Sequence, residues 1–468
     1  MQKILNEIPD LNQKTGVGRL TLFLKAMRRA MEDLPNDDVR DRTTNRRVAR
    51  RYSVREAAEF LDVDATYLSQ LIKDDEFPEG EKEKRERRFS VSDIMRMRAM
   101  LASRTGARKK FLHWRTPGED GRPNTDLPVV SFSSQKGGTA KTVSAAHFAQ
   151  YLSLFYGLRV GVVDADPQAT ISLYFAGEPH EVHYYEGPNL TDFMGISWKD
   201  NNAEYKPKSG DELDKMWSDT PWPGIRLMHG SGAILEADIG LMLIAGEAPV
   251  YRVMLDAVER WKEANAPKTT AKDLRDVDGN FDEEAYQRAL RETLDIIIID
   301  HQPSLTLTQV NCVFAATNLV VPQTMKSLDL STLELYLNTI QSYLELSTEK
   351  DKKMRDVGSG NHFVLPTLLP PSTSNYDKQH VYRIMEHGQD LILPVWCHRS
   401  DAFSNPADEY MSIYEYDPEP TRRKGAKLFM ENVNAVNDAM VRRILEHLPA
   451  RGYADSFVEK HFSDEEEQ

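Results

Sequence analysis

Apolar residues along this chain recur with two periods, and the change from one to the other divides it. Between residues 17 and 34, Val17, Leu20, Leu24, Met27, Met31 and Leu34 fall three and four apart, the seam of an amphipathic helix that predicts pairing with a second copy. From residue 53 the pattern becomes a series of short capped helices. Ser53-Val54-Arg55-Glu56 opens one as a capping box with Ala57, Ala58 and Leu61 inward, Asp62-Val63-Asp64 makes a tight turn, and Asp64 caps a second helix carrying Leu68, Leu71 and Ile72. Glu79 to Arg88 reads as a charged hairpin, and Ser90 with Asp93 caps a third helix. Helix, turn, helix, hairpin, helix is the order of a winged helix-turn-helix.

A polar stretch at 116–126, with Pro117, Gly118, Gly121 and Pro123, predicts a linker. Beyond it short apolar runs alternate with helical ones. The runs are Val129–Phe132, Arg159–Val163, Leu294–Ile299, Asn318–Pro322, His362–Leu365 and Leu391–Val395, with helices expected from about Asp329 and near Gln379 to His387. Apolar strands alternating with helices imply an α/β body with a parallel sheet covered on both faces. Residues 177–291 are less regular, and only a helix near Val250 to Ala264 stands out there.

Chemistry enters after the first of these strands. Ser133-Ser134-Gln135-Lys136-Gly137-Gly138-Thr139-Ala140-Lys141-Thr142-Val143 joins a strand to a helix through small residues, a lysine and a hydroxyl. Such a loop lets successive backbone N–H groups converge on phosphate oxygens at a helix N-terminus, with Lys141 supplying charge and Thr142 an oxygen for Mg2+. The common pattern G-x-x-x-x-G-K-[ST] asks for glycine at 135 and 140, where Gln135 and Ala140 stand; the pattern present is K-G-G-x-x-K-[ST].

That variant, with Lys136 as its second lysine, resembles the deviant Walker A box of the ParA/MinD family of P-loop ATPases. Arg159 to Gln168, ending Asp164-Ala165-Asp166-Pro167-Gln168, resembles the family's second box, and Leu294 to Asp300 its Walker B strand. The resemblance implies a parallel-sheet P-loop NTPase domain preceded by an α-helical winged helix-turn-helix domain. It divides the chain into a dimerisation helix region at 1–45, a winged helix-turn-helix at 46–115, a linker at 116–126, an ATPase domain at 127–462 and an acidic tail at 463–468. It implies nucleotide binding by Lys136, Gly137, Gly138, Thr139, Ala140, Lys141, Thr142 and Val143, a metal site of Thr142, Asp164 and Asp300, and catalysis by Lys136, Lys141 and Asp166 on ATP with Mg2+. Within it, Lys136 crosses a face-to-face homodimer to the partner's nucleotide, Asp166 orients the attacking water, and Thr367 to Pro371 lie near the base. A departure is His301-Gln302-Pro303 after Asp300, where relatives often have a small residue and two prolines; His301 reads as a satisfied loop histidine.

Charge changes the picture in one respect. The chain carries a formal net charge of −14, which argues against nucleic acid, but residues 1–125 hold 27 Lys and Arg against 21 Asp and Glu, leaving the acid on the body. A basic front module on an acidic body keeps DNA in view, through Thr66, Tyr67, Ser69, Gln70 and Lys73 on the second helix and Arg87 and Arg88 in the hairpin. On the body the basic candidates are Arg399, Lys424 and Lys427, beside Arg422, Arg423, Arg442 and Arg443. The start of the chain lacks a basic leader with an apolar core, and the two cysteines, Cys312 and Cys397, sit apart in apolar contexts. The expectation is a cytoplasmic, nucleoid-associated partition ATPase, stimulated by a ParB-type centromere-binding protein and with no membrane partner. The other reading is a nucleotide-responsive transcriptional repressor. A MinD-like membrane regulator is disfavoured by the acidic tail, and a redox relative by the lack of cluster cysteines.

Overall fold

In the computed structural model the described residues are 16–32, 50–73, 77–83, 86–104, 108–177, 182, 187–199, 202–351, 360–370, 376–388, 390–400, 410–418 and 420–462. They fall into two units, residues 16–32 and the remainder. In the first, Gly16–Glu32 is a helix whose Leu20, Phe23, Leu24 and Met27 are exposed on it. Leu34 of the expected seam, and the acidic tail, lie outside the described residues.

The second unit begins with β1 (Tyr52–Ser53), the helices Val54–Leu61 and Ala65–Lys73, β2 (Glu81–Glu83), β3 (Glu86–Phe89) and the helix Val91–Ser103. Its three strands form an antiparallel sheet in the order β1-β3-β2. The caps that start the helices are those expected: Ser53 with Glu56 and Ser90 with Asp93 form capping boxes, and the Asp64 carboxylate accepts from the N–H groups of Thr66 and Tyr67. Asp62 closes the first helix in the left-handed region at φ 56°, which turns the chain sharply into the second.

The body supplies β4 (Val129–Phe132), β5 (Val160–Ala165), β6 (Ile196–Lys199), β7 (Asn202–Tyr205), β8 (Ser218–Asp219), β9 (Ile225–Met228), β10 (Ile296–His301), β11 (Asn318–Gln323) and β12 (Phe363–Pro366). Seven of them make one sheet in the order β12-β11-β4-β10-β5-β9-β8, parallel except where β8 runs against β9. Both faces are buried, so β5, β10 and β11 are apolar runs rather than alternating ones. Leu391–Val395, expected as a further strand, is a correction. It pairs with β12 only through Val364 and Ile392 among the described residues: after the bonds from the Val364 N–H to the Leu391 carbonyl and the Leu393 N–H to the Val364 carbonyl, the next donor would be Pro366 of β12, which has no N–H.

Within the irregular stretch between the second and third motifs, residues 271–291 bind the front module to the body. After the hairpin β6–β7 and the helices Ile234–Leu243 and Val253–Ala264, the segment up to the helix Glu283–Arg291 packs Leu274, Tyr286, Ala289 and Leu290 against Ala99 and Trp114. Arg96 pairs with Glu283 at 2.7 Å, and Arg275 donates to the Ser103 hydroxyl at 3.1 Å. At the same joint Arg159 is fully buried, bonded through its guanidinium to Asp295 at 2.8 Å and to the Arg115 carbonyl at 2.9 Å, with Trp114 stacked on it. The core is continuous: Phe60, Leu101 and Met97 of the front belong to one buried cluster with Phe148, Phe155 and Ile298 of the body. Residues 116–126, expected as a linker, form a turn closed by Pro117 against Pro123.

Candidate functional site

Parallel strands bring the three motifs together because their carboxyl ends lie at one edge. Asp300 of β10 stands in register with Phe132 of β4 on one side and with Asp164 of β5 on the other. The phosphate loop springs from β4 at that edge and closes on itself: the Ser134 and Thr139 hydroxyls are 3.0 Å apart, and the Lys141 ammonium donates to the Lys136 carbonyl at 3.0 Å and the Ser134 hydroxyl at 3.4 Å. Gly138 takes φ 72° and Ala140 φ 61°, so both turn left-handed to aim N–H groups inward at the start of the helix Lys141–Tyr156. Ala140 holds a conformation that glycine adopts without penalty, which is why the common pattern has glycine there.

Lys141 is buried, and burial lowers its pKa against the pull of Asp300 and Asp166. Asp300 is fully buried with neither carboxylate oxygen hydrogen-bonded among the described residues. Burial drives its pKa well up, the Asp164 carboxylate drives it further, and the nearby Thr142 hydroxyl and Lys141 oppose both. An orphaned buried carboxylate beside a hydroxyl and a phosphate cradle fits a divalent cation, and no cluster of three or more His, Cys, Asp or Glu capable of holding a metal occurs among the described residues. A cation here has to share its shell with phosphate and water, the habit of Mg2+.

Asp164 braces the second motif: one oxygen accepts from the Asp166 N–H at 3.0 Å and the other from the Ser172 hydroxyl at 2.6 Å and N–H at 3.0 Å. Burial, its largest influence, raises its pKa to about 7. Asp166 accepts the Gln168 N–H at 2.8 Å, and burial raises its pKa while Gln168 and Lys141 hold it back. His301, expected to be a satisfied loop histidine, instead ends β10 and is buried, its Nε2 2.7 Å from the Ser131 hydroxyl and its Nδ1 without a hydrogen-bond partner among the described residues, with burial lowering its pKa to about 3.

Beside the loop lies a cavity of about 290 Å³, floored by Ala140, Val143 and Ser144 and walled by Leu368, Phe429 and Val433. It has the largely apolar lining of a small-ligand pocket. Thr367 ties its rim to the loop by donating to the Thr139 carbonyl at 3.0 Å.

A family model describing the CobQ/CobB/MinD/ParA nucleotide binding domain matches residues 130–445, the span that builds this edge. The chain belongs to that family. Among curated relatives, a protein of Rhizobium rhizogenes described as a candidate replication protein A is 24% identical over 397 residues, covering 83% of this chain and 85% of the relative. Protein SopA of Escherichia coli is 25% identical over 306 residues, covering 64% and 65%. A solved structure described as a partition protein superposes with a TM-score of 0.51 at 15% identity over 90% of this chain and 98% of that one, a likeness of fold.

The DNA candidates separate by what holds them. Thr66, Tyr67, Gln70 and Lys73 are exposed along the Ala65–Lys73 helix, whereas the half-buried Ser69 hydroxyl is turned back onto the Ala65 carbonyl. Arg87 donates to the Glu79 carbonyl, and Arg88 is surrounded by Glu86 at 3.2 Å and Glu56 and Glu83 at 3.9 Å, so both arginines are engaged within the module. On the body, Lys427 pairs with Glu431, Arg442 with Asp455 and Arg443 with Asp390. Lys424 and Arg399 are exposed and have no ion pair among the described residues, and Arg399 lies at the rim of the cavity.

Sequence reading missed Ser172, Gly230, Asp329 and Asn437. Asn437 and Phe429 reach the cavity from the helix Arg423–Ile444, more than 280 residues after the loop, and no local pattern marks them. Ser172 lies eight residues after Asp164 and was legible in principle, as a hydroxyl one turn into the following helix.

Proposed function

We propose that this protein is a DNA-partition ATPase that hydrolyses ATP weakly with Mg2+, dimerises on ATP, binds DNA and is stimulated by a ParB-type partner. The observation that carries the reading is the pair of lysines on one phosphate loop: Lys141 buried over it, and Lys136 at its rim with 37% of its side chain exposed. A single lysine suffices to hold phosphate; a second at the rim is suited to a nucleotide bound by another copy, so the competent site belongs to the dimer.

In the proposed mechanism, backbone N–H groups of Gly137 to Thr142 cradle the phosphates and Lys141 neutralises the terminal ones. Thr142 and Asp300 would hold Mg2+, which when bound would supply positive charge against the phosphates. Asp166 orients the attacking water, while Asp164 keeps Asp166 in place through its N–H. The cavity bounded by Leu368, Phe429 and Val433 takes the base. Phosphoryl transfer asks mainly for this positioning and charge, with little covalent work for the protein.

The exposed Ala65–Lys73 helix supports binding to the protein's own operator, and Lys424 and Arg399 support sequence-independent DNA binding on the nucleoid in the cytoplasm. ATPase rate measured with and without DNA and the protein encoded beside this one tests the reading. A rate raised by both together is expected. Nucleotide-dependent operator binding with a rate indifferent to DNA and partner would favour the repressor instead, to which the fusion of the front module with the body lends weight.

A further inference from the structure

We propose that Arg98 couples the phosphate loop to the DNA-facing helix of the front module, an inference that rests on the DNA-binding reading of that module. Arg98 belongs to the helix Val91–Ser103 and is fully buried, and its guanidinium has no carboxylate partner among the described residues. It donates instead to three backbone carbonyls: Phe60 at 2.6 Å, Leu154 at 2.7 Å and Phe111 at 3.2 Å. Phe60 lies in the last turn of the helix Val54–Leu61 and Leu154 in the last turn of Lys141–Tyr156. Carbonyls of a last turn lack intrahelical partners and form the negative end of the helix dipole, which is how a cation without a counterion is tolerated in the core. One side chain thereby joins the far end of the helix that starts at the phosphates to the end of the helix that leads into the turn before Ala65–Lys73.

The joint is reinforced on both sides. Arg451 donates to the Phe155 carbonyl and, at 3.3 Å, to the same Phe60 carbonyl, and lies 3.9 Å from the Asp62 carboxylate. Lys110 donates to the Asp62 carbonyl at 2.9 Å, and the Trp114 indole to the Gly157 carbonyl at 2.6 Å. There is no slack: a Cβ on Gly157 would lie 2.5 Å from the Arg98 Cδ. The turn so held contains Asp62 in its left-handed conformation and Asp64, whose carboxylate starts the DNA-facing helix by accepting from Thr66 and Tyr67.

The helix Lys141–Tyr156 has 16 residues. That makes it a rod about 24 Å long. Phosphates drawn to its N-terminus act on the whole rod, because a close-packed interior passes a displacement on rather than absorbing it. Its other end bears on Phe60 through Arg98, so a change at residues 139–142 reaches the angle at which Ala65–Lys73 is presented.

The test uses the full chain and a duplex spanning the DNA directly upstream of this protein's own coding sequence, with affinity measured in a non-hydrolysable ATP analogue with Mg2+ and in ADP with Mg2+. The wild type is expected to show a ratio of roughly fivefold or more between the two nucleotides, and Arg98→Met a ratio near one with nucleotide affinity changed by less than about threefold. Arg98→Lys, a single ammonium that cannot hold both helix ends, falls between. A full ratio in Arg98→Met overturns the proposal, as does wild-type binding indifferent to nucleotide. Hydrogen exchange on the wild type stands in if Arg98→Met does not fold: nucleotide must alter protection at residues 60–67 together with 141–145, and a change confined to 141–145 overturns the coupling. Absence of any binding to the duplex would remove the DNA reading, while hydrogen exchange would still decide the coupling.

Discussion

The ammonium of Lys136 is paired with the carboxylate of Asp329, 193 residues further along the chain, and the Thr324 hydroxyl donates to the same carboxylate. Asp329 sits in the first turn of the helix Ser327–Lys350 with its side chain 5% exposed. Burial pushes its pKa up, but the hydrogen bonds from Lys136 and Thr324 outweigh that and leave it below the ordinary carboxylate value. A lysine expected to serve a second copy is thus held within its own chain.

If Lys136 leaves Asp329 when two copies close on ATP, breaking that pair opposes dimerisation. A partly exposed ion pair contributes up to about 1 kcal/mol and closure breaks one in each copy, so Asp329→Asn should tighten the ATP-dependent dimer by up to roughly thirtyfold. Sedimentation equilibrium with a non-hydrolysable ATP analogue reads this directly. An unchanged dimer constant would mean that Lys136 keeps its cis partner throughout.

Gly230 is predicted to matter to catalysis despite standing outside every motif. Its N–H donates to the Ser172 hydroxyl at 3.0 Å, and a Cβ on it would fall 2.6 Å from the Asp164 Cγ. Gly230→Ala displaces Asp164 and, through it, Asp166, so hydrolysis should drop by on the order of tenfold or more while nucleotide affinity holds within about threefold. Turnover equal to the wild type would remove Asp166 from the water-orienting role.

The pH dependence of stability carries a signature of His147, whose Nε2 accepts the Ile413 N–H at 3.0 Å. Burial lowers its pKa to about 3 from 6.5. Because the folded-state pKa is depressed, the unfolded chain takes up a proton below pH 6.5 that the folded chain refuses, so this contribution is complete above pH 6.5 and is lost as pH falls. Between pH 7 and pH 5 the loss is about 2 kcal/mol. Urea unfolding of His147→Gln should therefore lose about 2 kcal/mol less than the wild type over that interval, and parallel curves would refute the assignment.

Removing residues 1–115 to isolate the body should give an insoluble protein. The cut strips Phe60, Met95, Met97 and Leu101 from a cluster shared with Phe148 and Phe155, and leaves the Leu154 and Gly157 carbonyls without Arg98 and Trp114. A soluble fragment that unfolds cooperatively in a thermal melt would show the body to be self-sufficient. DNA binding by the body is better tested in the full chain, where the exposed Arg399 and Lys424 changed to Ala should weaken binding and flatten its salt dependence.

What the sequence determined by itself was everything encoded within a few residues. The capping boxes at Ser53 and Ser90 and the cap at Asp64 depend on residues two or three apart, and the buried runs of β4, β5 and β10 on composition alone. The phosphate loop was legible because its work is done by contiguous backbone, and Asp300 because a carboxylate ending an apolar strand is unusual in itself. Tertiary structure decided what depends on residues far apart in the chain. It bonded Asp164 to Ser172 and gave Lys136 to Asp329, and it bound the expected linker and the front module into one core through Arg98, Arg159 and the segment 271–291. A side chain's partner across a hundred residues follows from how sheets and helices stack, and the spacing of residues along the chain contains no term for that.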